Sequence, residues 1–137
     1  MNKTLLNFLA VVAGALIGGF TNTGIISIGP LVIPPPEGAD FSTQESLAAS
    51  MPLLSAKHFI FPFLAHAIGT LVGCVVAVRI GKGHPLRLAL PVSLLFFIGG
   101  AWMVNQLPSP LWFNIADLSL AYFPMAWLAA RIASRKR

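Results

Sequence analysis

The stretch Phe59–Val78, FIFPFLAHAIGTLVGCVVAV, carries no Lys, Arg, Asp or Glu. A bilayer core of ~30 Å is crossed by about 20 predominantly apolar residues of helix. Backbone polar groups in lipid must be satisfied within their own segment, which selects helix. The apolar/polar alternation of a barrel strand is absent. Working outward, runs of spanning length recur at about 5–33, 56–80, 86–105 and 110–132. The expected fold is therefore all-α. It is a single domain over residues 1–137, an integral membrane bundle of four transmembrane helices, with a short interfacial helix at about 43–51 in the first outer loop. The first run is longer than one crossing requires. It either tilts or breaks at Thr21-Asn22-Thr23-Gly24.

Composition agrees. The chain is 56% hydrophobic and 9% charged, against roughly 25% charged residues in soluble domains, so its surface is expected to face lipid. The net charge of +5 does not point to nucleic acid. The basic residues sit at the ends of apolar runs, not in a stripe interleaved with aromatics. Lys3 ahead of an apolar run resembles a signal peptide, but the run is too long for an h-region and ends in no small-x-small site. Cys74, the one cysteine, has no disulfide or metal partner and reads as a small packing residue.

Lys3, the group Arg79, Lys82 and Arg87 around the Gly81-Lys82-Gly83-His84-Pro85 link, and the group Arg131, Arg135, Lys136 and Arg137 fall on one side of four crossings. The positive-inside rule then predicts an inner-membrane location with both termini cytoplasmic. In the first outer loop, Pro34-Pro35-Pro36 cannot continue a helix. Ser42-Thr43-Gln44-Glu45 reads as a capping box, which opens the short helix resting on the interface or covering an outer cavity.

Lipid gives helices no hydrophobic reason to associate, so small residues mark close approach. Gly14 and Gly18 form one GxxxG pair and Gly69 and Gly73 another. They serve packing inside the bundle or a homo-oligomer interface. Four short helices are expected to leave no pore among themselves. Pro124 is expected to kink the fourth helix.

Asp117 is the one acidic residue inside an apolar run, and an intramembrane ionisable group is by default a functional hypothesis. Counting depth at ~1.5 Å per residue places Asp117 and His66 at a similar level below the outer ends of their helices. Asn22 and Asn105 fall in the outer parts of the first and third. The expectation is a polar cluster of Asp117, His66, Asn22 and Asn105. It acts either as a hydrogen-bonded clamp between helices or as a proton or ion path. No HExxH, P-loop, nucleophile elbow or acidic cluster is present, so neither enzyme chemistry, metal nor cofactor is expected.

The Pro34-Pro35-Pro36-Glu37-Gly38-Ala39-Asp40 segment, the Ser42-to-Met51 stretch and the Pro110-Leu111-Trp112-Phe113 opening of the last helix, with the four-span layout, resemble a group of small, uncharacterised bacterial membrane proteins. The resemblance covers nearly the whole chain. It implies a four-helix inner-membrane fold and brings no known activity. Gly69-Thr70-Leu71 resembles part of the fluoride-channel motif, but Gly73 and Cys74 stand where its asparagine is expected, so nothing is carried over. The expected function is a structural or accessory membrane component, with a small proton-coupled transporter or ion channel using Asp117 and His66 as the alternative. Expected partners are the lipid bilayer and a second copy or another membrane protein, not nucleic acid.

Overall fold

The computed structural model describes residues 2–134, and over them the chain is helical with no strand. Helix α1 spans Lys3–Val32; Asn2 caps it by accepting from the Thr4 amide at 2.9 Å. It runs unbroken through Thr21–Gly24. The hydroxyls of Thr21 and Ser27 donate to the carbonyls of Ile17 and Thr23, at 2.9 and 2.8 Å, so these polar side chains are satisfied within the helix. Its 30 residues give a length of ~45 Å, more than a ~30 Å hydrocarbon core needs.

Helix α2 spans Gln44–Ser50. Its capping box is one residue later than the sequence pattern suggests. Ser46 donates its amide to the Thr43 hydroxyl at 3.0 Å, and the Thr43 amide returns to the Ser46 hydroxyl at 3.1 Å. Ser42 is held elsewhere, its amide donating to Asp40 Oδ1 at 2.8 Å. The Ser42 hydroxyl and amide hold the Asp40 carboxyl below its ordinary pKa. Two 3-10 turns, Met51–Leu53 and Ala56–Phe59, lead into helix α3, Ile60–Ile80. His58 ties this entry to the preceding loop. Its Nδ1 accepts from the Ser55 amide at 3.0 Å, which leaves Nε2 to donate to the Pro34 carbonyl at 3.2 Å.

Helix α4 spans Pro85–Gln106, α5 Leu111–Leu120 and α6 Phe123–Ser134. The fourth helix expected over about 110–132, kinked by Pro124, is thus two helices with a bend at Ala121-Tyr122. Pro124 has no amide hydrogen and its ring crowds the carbonyl four residues back, at Leu120, where α5 stops. With 10 and 12 residues, α5 and α6 are ~15 and ~18 Å long. Three helical segments, Lys3–Val32, Ala56–Ile80 and Pro85–Gln106, are long and apolar enough to cross a membrane.

Helix α3 is central, packing on α1, α4 and α6. Helices α1 and α3 run antiparallel along their glycines. Gly14 lies against the Gly73 carbonyl, Gly18 against that of Gly69, and Gly29 against Phe61. Both GxxxG pairs are thus used up in one internal contact. At the end carrying the α3–α4 turn, the Asn7 side-chain amide donates to the Lys82 carbonyl at 3.0 Å and its oxygen accepts from the Lys82 amide at 2.7 Å. Lys3, Arg79, Lys82, Arg87 and Arg131 belong to this basic end, while Arg135, Lys136 and Arg137 lie outside the described residues.

The basic end is packed from small side chains. Cys74, Ala77, Val78, Leu88, Ala89, Val92, Ala126, Ala129 and Ala133 form one buried cluster, and the Cys74 thiol donates to the Ala89 carbonyl at 3.3 Å. The outward surface carries many large apolar groups, among them Phe20, 77% exposed, and Leu31, 82% exposed.

Candidate functional site

Asp117 sits in the last turns of α5 and is 4% exposed. Its Oδ1 lies 2.8 Å from His66 Nδ1 on α3, and its Oδ2 accepts from the Tyr122 hydroxyl at 2.9 Å. As a carboxylate, Asp117 is acceptor-only, so the imidazole must carry its proton on Nδ1. On a neutral ring bound in this way Nε2 is an acceptor. No protein group hydrogen-bonds that nitrogen among the described residues, and His66 lines a cavity. The His66 and Tyr122 rings stack with centroids 6.0 Å apart, and Phe97 meets Tyr122 edge-on at 5.9 Å.

Each partner is placed by a local feature. His66 projects from α3 three residues before Gly69, on the stretch that α1 and α5 approach. Tyr122 is brought round by the break. On a continuous helix, a residue five positions after Asp117 would point about 140° away from it. The bend at Ala121-Tyr122 turns the phenol back onto the carboxylate. Gly100 on α4 makes the room, since a Cβ there would collide with the Tyr122 hydroxyl. In the sequence Gly100 reads as a small residue beside Gly99 and Ala101, and neither it nor Tyr122 points to this site. The signal available was a lone tyrosine two residues before a proline.

The four expected cluster members do not all meet. His66 and Asp117 are joined directly. Asn105 is exposed and donates back to the Ala101 carbonyl of its own helix at 3.0 Å. A helix turn satisfies it, so it has no reason to enter the cluster. Asn22 packs its Cβ on Gly69, and its amide oxygen is buried without a hydrogen-bond partner. The Thr70 hydroxyl is in the same condition. Asn22 is therefore part of the α1–α3 contact, not of the His66–Asp117 pair.

Above the pair the helices diverge. A cavity of about 430 Å³ opens at the loop end, floored by His66, Asp117 and Gly100. Its walls include Phe41, Phe59, Phe61, Phe113, Met51 and Val104, with Lys57 and Asn114 among its polar lining. The expectation is that four short helices leave no pore among themselves; the cavity is open at one end only and does not pass through the bundle. At the loop end the glycine and alanine rows give way to phenylalanines, which hold the helices apart. Below the pair the bundle closes, with Ala121, Ala126, Ala129 and Ala133 at 0% exposure. Among the described residues no group of three metal-ligating side chains occurs.

The arrangement belongs to a chain that is all-helical over its described residues, with three helices of membrane-crossing length and an apolar chamber that reaches His66 and Asp117, behind which Tyr122 is buried. Comparisons with family profiles, curated proteins and solved structures return no match for this chain.

Proposed function

We propose that this chain is a multi-pass protein of the bacterial inner membrane, with four crossings and both termini cytoplasmic. In this reading it is an accessory component that takes up a small molecule in a chamber facing the outer side. The observation that carries it is the chamber itself, open at the loop end and ending on the hydrogen-bonded pair of His66 and Asp117. A concave apolar pocket with a few convergent polar groups is the usual form of a ligand site. The fourth crossing is α5 and α6 together, whose summed ~33 Å matches a ~30 Å core. Orientation follows from the described basic residues, which gather at the end opposite the chamber, apart from Lys57.

Thiol labelling tests this reading. In intact cells, Val104→Cys on the chamber wall should react with a small membrane-impermeant reagent. Lys82→Cys should react only after permeabilisation, and the buried native Cys74 not at all. Labelling of Lys82→Cys from outside, with Val104→Cys protected, would reverse the topology and defeat the proposal.

A second reading, proton-coupled transport, draws on the broken α5–α6 crossing beside an ionisable pair, since discontinuous helices mark many transporter sites. The closed small-residue packing beneath Tyr122 favours the accessory reading. Proteoliposomes under an imposed potential should therefore pass no more protons than empty vesicles. Wild-type flux that Asp117→Asn abolishes would install the transport reading instead.

A further inference from the structure

Resting on the chamber reading, we infer that the ligand is a small hydrophobic amine, bound as its ammonium with the N–H donors directed at His66 Nε2. Three features of the floor lead there. Both carboxylate oxygens of Asp117 are already engaged by protein donors. His66 Nε2 has no protein partner among the described residues, so on a neutral ring its lone pair is an acceptor facing the chamber, and a ligand that brings a donor fits it. With Asp117 ionised and His66 neutral, the protonation state proposed, the floor carries one negative charge in apolar surroundings. A cation is attracted there and a carboxylate or phosphate repelled. Four phenylalanines, Phe41, Phe59, Phe61 and Phe113, line the chamber, and aromatic rings attract a cation held near their faces.

The same features exclude neighbouring classes. A metal ion would need ligands, and the described residues supply no cluster for one. A strongly polar cation such as guanidinium would leave most of its donors facing Phe and Met side chains. The walls ask for hydrocarbon. At the ~30 Å³ that a water molecule occupies, about 430 Å³ accommodates roughly a dozen heavy atoms, enough for a short alkyl or single-ring body. Lys57 is exposed, so its charge is screened by solvent and bears little on the buried floor.

The test uses the full chain in lipid nanodiscs with ¹⁵N-histidine labelling. The chain has three histidines, and His66→Gln assigns the His66 signals. The probes are n-hexylamine, n-hexanol and hexanoate. Hexylamine should move the His66 Nε2 resonance saturably, hexanol should do so at least about tenfold more weakly, and hexanoate should leave it in place. Asp117→Asn should weaken hexylamine about tenfold or more. Val104→Phe, which fills the chamber and leaves the floor intact, should abolish the shift.

If all three probes act alike and Val104→Phe stops them, the amine assignment falls and the chamber stands. If no probe reaches His66, or the shift survives Val104→Phe, both fall. Should Asp117→Asn fail to fold, the probe series and Val104→Phe on the intact floor still decide.

Discussion

Gly73→Val should leave little folded protein. A Cβ at residue 73 would stand 2.6 Å from the Gly14 carbonyl oxygen, 3.1 Å from Val92 Cγ1 and 3.3 Å from the Gly18 Cα. Two of these neighbours are backbone and cannot rotate aside, so α1 must move off α3. Overpacking a tight interior costs about 1–3 kcal/mol and occasionally more. Valine at Gly73 meets two helices at once, so about 3 kcal/mol or above is expected. Within a bilayer, separated helices gain no hydrophobic penalty that would drive them back, and close backbone approach is what holds them. Gly19→Val is the matched control, because nothing lies within 4 Å of a Cβ there. Thermal unfolding and size profile in detergent should show Gly73→Val melting far earlier or aggregating, with Gly19→Val close to wild type. Equal behaviour of the two would mean that the glycine rows are not the α1–α3 contact.

Those rows were legible in the sequence because their signal is local, a pair of small residues one turn apart on each helix. That they face each other, Gly14 to Gly73 and Gly18 to Gly69, required knowing that α1 and α3 are antiparallel neighbours. His66 and Asp117 were legible for a similar reason, as depth along a helix is a count of residues. The same count placed Asn105 at that depth but not on the right side of its helix. A polar group with a carbonyl four residues back needs no distant partner. The fourth crossing shows the opposite limit. Pro124 announced a kink, but whether a proline bends a helix or ends it depends on what stabilises the freed turn. Here Tyr122 packs against Phe97 and bonds to Asp117, a tertiary arrangement that no local pattern encodes. The use of Gly100 was hidden on similar grounds, since it admits a hydroxyl from the bend between α5 and α6.

Removing Asp117 should destabilise more than removing its phenolic partner, and removing both should cost less than removing Asp117 alone. Asp117→Ala strips the acceptor from two donors. His66 has 22% of its side chain accessible and can turn to water in the chamber. Tyr122 is 1% exposed, with Gly100 against its hydroxyl and Phe97 beside its ring, so its O–H is left buried and unpaired. Such a group costs about 1–3 kcal/mol, while a hydrogen bond removed without stranding its partner costs ~0.5–1.5 kcal/mol. Tyr122→Phe belongs nearer the second case, because the carboxylate keeps its bond from His66 and lies beside the chamber. Interhelical hydrogen bonds in membranes average only ~0.6 kcal/mol, since unfolded helices in lipid also find partners. The sealed position of Tyr122 is what lifts Asp117→Ala above that average. In Asp117→Ala/Tyr122→Phe the stranded hydroxyl is gone, so the double variant should unfold at a higher temperature than Asp117→Ala. A double variant less stable than both single ones would show that the phenol is not confined by Asp117, and that the carboxylate holds α5 to α3 through His66 alone.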